Sequence, residues 1–188
     1  MAIAEVVRST REERDIELLV VATPVGPLAH AIDAYRQAVV VRIGINPAHR
    51  SPPHCLLTRS FYDRLTSARS YRRAIVATLR SQQRLLRGVA TALTTNQEWH
   101  SLEIESPSLT ALAVEIAAGG TSATRHEHVM AHSLLRLALA TDFDAADHHL
   151  LSELAHRIVD PALPAEWRVD LWERSDGNWR NALREHVS

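Results

Sequence analysis

Lysine is absent: all 21 basic residues of the 188-residue chain are arginine. Its absence removes Schiff-base chemistry, which needs an ε-amine, and any phosphate-cradling loop built on a lysine. GC-rich coding is the plain explanation, and selection against modifiable amines is the functional alternative. Cysteine is nearly absent. Cys55 stands alone, so no internal disulfide can form, and a reducing compartment is the simpler fit. No apolar run reaches the length of a membrane span, and the N-terminal MAIAEVVRSTREERD is broken by charge before it becomes a signal core. A cytoplasmic protein with no membrane attachment is the expectation. A net charge of −1 and a pI near 6.8 give no general pull on a polyanion, which argues against a dedicated nucleic-acid binder.

What remains is ordinary globular material: 46% hydrophobic and 23% charged residues. That length suits one domain over residues 1–188, with residues 1–14 expected to be a flexible N-terminus. Ile16–Ala22 (IELLVVA) reads as a buried strand. Pro27 suits the first turn of a helix whose Leu28, Ile32 and Tyr35 share a face. Val39–Ile45 (VVVRIGI) reads as a second strand, Asn46–Pro53 as a proline-bearing loop, and His54–Phe61 as an alternating strand. A helix is expected over Ala68–Leu86, a strand pair over Val89–Thr94 and Trp99–Glu105, and a helix from Pro107 to Ala118. Leu134–Thr141 and Trp167–Glu173 read as strands, flanking a helix over Ala145–Val159. Strands alternate with helices throughout, the pattern of an α/β or α+β domain.

Strand alternation puts His54, Leu56 and Thr58 on one face and Cys55 and Leu57 on the other. Arg136, Ala138 and Ala140 share a face of the later strand. If the two strands lie side by side, His54 and Arg136 line one cleft.

The segments PPHCLLT (Pro52–Thr58) and LLRLALATDF (Leu134–Phe143) resemble the two active-site strands of the 2H phosphoesterases, in particular a cyclic-phosphodiesterase-like branch. The likeness extends to ATPVGPLAHAIDAY (Ala22–Tyr35), NPAHRSPPHCLLTRSF (Asn46–Phe61), WHSLEIESPSLTAL (Trp99–Leu112) and DPALPAEWRVDLWERSDGNW (Asp160–Trp179), roughly residues 15–180 in all. It implies a bilobal fold with two pseudo-twofold-related sheets and outer helices. It also implies two His-x-Ser/Thr motifs facing one cleft, the histidines serving as general base and acid on a phosphodiester and the hydroxyls holding its oxygens.

This chain departs from that pattern. His54 is kept, but Leu56 stands where the first hydroxyl belongs, and Arg136 and Ala138 stand where the second histidine and hydroxyl belong. Leu56 and Ala138 donate nothing to a phosphoryl oxygen. Arg136 stays charged near neutral pH; it binds anions but moves no proton. Ordinary 2H catalysis is therefore not expected.

Each remaining signal has a plain reading. His54 after two prolines suits a strand edge bonded to a loop. Arg136 in an apolar strand calls for an acidic partner or a ligand. Cys55 suits the core, and Trp99, Trp167, Trp172 and Trp179 suit packing. His126, His128 and His132 lack zinc-motif order, so no metal and no cofactor are expected. The expectation is a catalytically degenerate domain whose cleft binds a small anionic or nucleotide-like ligand through Arg136 and Thr58, or whose surface binds a protein partner. The alternative is an enzyme with a repurposed cleft, using His54 as acid or base on a phosphorylated or biosynthetic intermediate.

Overall fold

A computed structural model describes residues 15–82, 87–119, 128–175 and 178–182. The expected flexible N-terminus, residues 1–14, and His126 lie outside the described residues.

Two eleven-residue strands form the spine: β1 (Asp15–Val25) and β7 (Ala165–Ser175) pair antiparallel along nearly their full length, from Glu17–Arg174 to Val25–Glu166. The others are β2 (Cys55–Leu56), β3 (Phe61–Arg64), β4 (Arg87–Thr95), β5 (Trp99–Glu105), β6 (Leu135–Thr141) and β8 (Asn178–Asn181). They join one eight-stranded antiparallel sheet in the order β3-β1-β2-β6-β5-β4-β7-β8. Because β1 also bonds β7, the sheet curls until its two halves meet. Four α-helices complete the described fold: α1 (Pro27–Ile43), α2 (Ala68–Gln82), α3 (Pro107–Gly119) and α4 (His148–Ile158).

Alternate strand residues divide the sheet into two faces. Leu18, Val20, Ala22, Cys55, Leu57, Leu102, Leu135, Leu137, Leu139 and Leu171 are sealed from solvent. They form one core with Leu28, Ile32 and Tyr35 of α1, Leu109 and Leu112 of α3, and Leu151 of α4. Each such aliphatic side chain contributes about 1.5–3 kcal/mol by leaving water. The face away from the helices carries a second, smaller cluster of Leu19, Val21, Leu56, Trp172 and Trp179.

Two expected elements are corrected. Val39–Ile45 is not a strand, because α1 runs on to Ile43. Val39 and Ile43 continue the stripe of Leu28, Ile32 and Tyr35, while Val40 and Val41 face out. Helical periodicity outweighs the β-preference of the valines. Gly44, at a φ of 84°, then ends the helix by donating its N–H to Val40 O, a conformation that a side chain would strain. The stretch His54–Phe61 is not one continuous strand: Cys55–Leu56 pairs as β2, Thr58 makes an isolated bridge to Ala131, and Phe61 opens β3. The chain bends at Leu57 and re-enters the sheet as β3.

The loop before His54 is held from both ends. Arg36, buried in α1, donates from Nη2 to the carbonyls of Ala48 and Ser51. Asn46 caps the short 3₁₀ turn Pro47–Arg50 through Ala48 N, and His49 Nε2 bonds Arg36 O. A guanidinium sealed in by backbone carbonyls is costly to leave unpaired, so these bonds fix the path of the chain into β2.

Candidate functional site

β2 lies between β1 and β6. Val21 pairs with Leu56 and Ala22 with Cys55 on one side, and Cys55 pairs with Leu137 on the other. Continuing that register by one residue sets Leu56 across from Arg136 and His54 across from Ala138. All four lie on the face away from the helices, while Cys55 and Leu137 are core. The strands carrying the two motif segments are therefore neighbours, about 4.8 Å apart.

His54 is half-buried. Its Nδ1 donates to Pro52 O at 2.8 Å, and its ring lies 4.6 Å from that of Trp172. Burial lowers its pKa from the usual histidine value, as does the charge of Arg36, while the bond to Pro52 opposes them. A neutral ring protonated at Nδ1 presents a lone pair at Nε2. The neighbouring Cys55 thiol points into the core, where burial pushes its pKa up, so it is no nucleophile.

Arg136 meets the acidic partner that its position called for. Its Nη2 donates to Glu103 Oε1 at 3.0 Å, directly across β5–β6, and its guanidinium lies 4.7 Å from the centroid of Trp99. Both partners keep over a third of their side-chain surface in water, where such a pair contributes about 0–1 kcal/mol. An incoming anion can compete for this guanidinium at modest cost.

Thr58 requires a correction. The bend at Leu57 turns it away from the face of His54. It is wholly buried, and its Oγ1 accepts the N–H of Val20 at 3.1 Å. That hydroxyl stitches the loop to β1 and is out of reach of any solute. Arg136 and His54 share a face; Thr58 does not join them.

In fold, the chain is similar to Usb1 of Kluyveromyces marxianus. The two share 10% sequence identity over 90% of this chain and 98% of that one, with a TM-score of 0.51. A second structure of that protein, with uridine monophosphate, matches over 92% of this chain and 98% of that one, at 10% identity and a TM-score of 0.47. The first match shows a common fold. No protein-family model and no curated protein sequence matches the chain.

Beside His54 the face deepens into a cavity of about 180 Å³, lined by Thr23, Arg50, Pro52, Arg168, Trp172 and Trp179, with Asp170 in its wall. Asp170 is buried yet fully occupied. Thr23 Oγ1 donates to it at 3.1 Å, and Arg168 donates from Nε and Nη2 at 3.0–3.1 Å. The sequence reading missed Arg168 and Asp170. The signal lay in WRVDLWER, where Arg168, Asp170, Trp172 and Arg174 alternate with Trp167, Val169, Leu171 and Glu173. Trp172 and Trp179 do pack, as expected, but on the cavity side; Trp167 is core. Among the described residues no group of three or more metal-ligating side chains is placed to hold an ion, and no helix is long and apolar enough to cross a membrane.

Proposed function

We propose that this chain is a catalytically degenerate 2H phosphoesterase-like protein whose cleft face binds a small anionic, nucleotide-like ligand, with His54 and Arg136 touching it. The observation carrying this reading is the β2–β6 pairing at Cys55–Leu137. It leaves one imidazole and one guanidinium on a common face, with aliphatic side chains at both hydroxyl positions. Diester cleavage by two histidines needs one to take a proton while the other gives one. Arg136 cannot give its proton at neutral pH, which forfeits about 10²–10⁴-fold in rate. Each lost phosphoryl-oxygen donor removes about 3 kcal/mol more of transition-state stabilisation. Anion binding survives these losses, because a guanidinium and a wall of tryptophans need no proton transfer.

Isothermal calorimetry with nucleoside monophosphates, cyclic phosphates and phosphorylated metabolites tests the reading. Binding without turnover is expected, weakened several-fold by Arg136→Ala. If none of these anions binds, the ligand reading fails and binding of a protein partner by the surface replaces it.

A second reading, an enzyme working with one histidine on a phosphorylated or biosynthetic intermediate, is favoured by the lowered pKa of His54 and the Nδ1 bond to Pro52 that leaves the lone pair at Nε2. In that version His54→Ala abolishes function, whereas in a pure binder it lowers affinity only.

A further inference from the structure

Arg136 is partnered by Glu103, but the guanidiniums beside His54 are differently set. Arg168 is gripped through Nε and Nη2 by a carboxylate that is only 4% exposed, while 42% of its own side-chain surface stays in water. That fork orients the planar group and leaves Nη1 uncommitted among the described residues. Arg50 is exposed at the same cavity and has no ion-pair partner among the described residues. Arg180 also borders the cavity, but it pairs across the strands with Glu173 and follows that residue to the opposite face. Two arginines against one acid give the lining a net positive charge. Trp172 and Trp179 provide flat apolar walls, and Ser51 joins the lining.

We infer that this cavity is the phosphate subsite of the cleft. Arg50 and Arg168 hold the head group of a phosphomonoester, and the ligand's planar part lies against Trp172 and Trp179. The inference rests on the cleft-binding reading above and moves the main anionic contact from Arg136 to the β7 side of His54. Size favours a head group: pockets for whole drug-sized ligands span about 300–1,000 Å³, larger than this cavity of about 180 Å³. Orientation favours affinity, since Asp170 has already ordered the Arg168 fork and that ordering is not charged to binding. Proximity ties the site to His54, because Pro52 lines the cavity and its carbonyl accepts the hydrogen bond from His54 Nδ1, while the Trp172 ring lies tilted against the imidazole at 4.6 Å. An anion seated there favours the protonated imidazole, opposing the effect of burial on His54.

The test is calorimetry on the full chain with adenosine 5′-monophosphate, adenosine as control, and inorganic phosphate as competitor. Adenosine 5′-monophosphate is expected to bind, with phosphate displacing it and adenosine binding at least tenfold more weakly. Arg50→Gln should weaken binding about tenfold, the loss of one charge-assisted contact. The pair Arg168→Gln with Asp170→Asn, which leaves no buried carboxylate unpaired, should do the same, and Arg136→Ala should cost less than either. Unchanged affinity in Arg50→Gln, together with loss in Arg136→Ala, overturns the subsite and leaves the cleft reading standing. Failure of the wild-type chain to bind any phosphomonoester overturns both.

Discussion

Acid should loosen this protein through one histidine behind the sheet. His100 of β5 has no solvent exposure. Its Nδ1 lies 2.9 Å from the hydroxyl of Tyr35 in α1, and its Nε2 lies 3.4 Å from Nδ1 of His148 in α4. The ring of Phe143 is 4.8 Å away. Burial drives the pKa of His100 down to about 4. The charges of His148 and His156 push the same way, and a backbone hydrogen bond at Asn96 offsets part of this. A histidine kept neutral by the fold binds its proton more readily in the unfolded chain. Stability from this group is therefore complete above about pH 6.5, the unfolded value, and is lost as the pH falls toward 4. The full span amounts to about 3 kcal/mol, of which about 2 kcal/mol is gone by pH 5. Urea unfolding at pH 7.5 and pH 5.0 reads it directly. His100→Gln can keep a bond to Tyr35 but cannot titrate, so its two midpoints should lie closer together than those of the wild type by that amount. An equal drop in both proteins would refute the reasoning.

Thr58→Val should cost about 1–3 kcal/mol, because Val20 N loses its acceptor inside the core, whereas Thr58→Ser should be milder; denaturant melts of the pair check this. Arg36→Met removes the donor to Ala48 O and Ser51 O, and should both lower the melting temperature and broaden the His54 ring resonances in NMR as the loop loosens. Leu56→Thr combined with Arg136→His and Ala138→Ser restores the motif residue types on the shared face. It should raise hydrolysis of a 2′,3′-cyclic nucleotide above the wild-type level in a chromatographic product assay; no gain would mean that more than these three positions has been lost.

Much of the fold was legible because its signals are local. The apolar stripe of α1, the proline and glycine punctuation, and the strand pair joined across residues 95–99 all depend on neighbours in sequence. The misread stretches are those where a long-range fit decides. Val39–Ile43 carries strand-forming residues, yet it stays helical because its stripe continues into the core. Thr58 obeys alternation on paper, but a bend at Leu57 spends its hydroxyl on Val20. The motif segments pointed to a face shared by His54 and Arg136, which the β2–β6 register gives, whereas Glu103 as the partner of Arg136 needed the β5–β6 register. The Asp170–Arg168 fork was hidden because two tryptophans made its strand look like packing, and part of it is.

One measurement bears most directly on the central claim that the cleft holds a nucleotide-like anion without cleaving it. Phosphorus NMR follows a 2′,3′-cyclic nucleotide mixed with the wild-type chain and reports binding and turnover in the same spectrum. The account predicts a shifted or broadened phosphorus resonance with no monophosphate product over hours, and relief of the broadening when an excess of nucleoside monophosphate competes. A product resonance growing at a rate that His54→Ala abolishes would contradict it, and so would a ligand resonance that the protein leaves untouched.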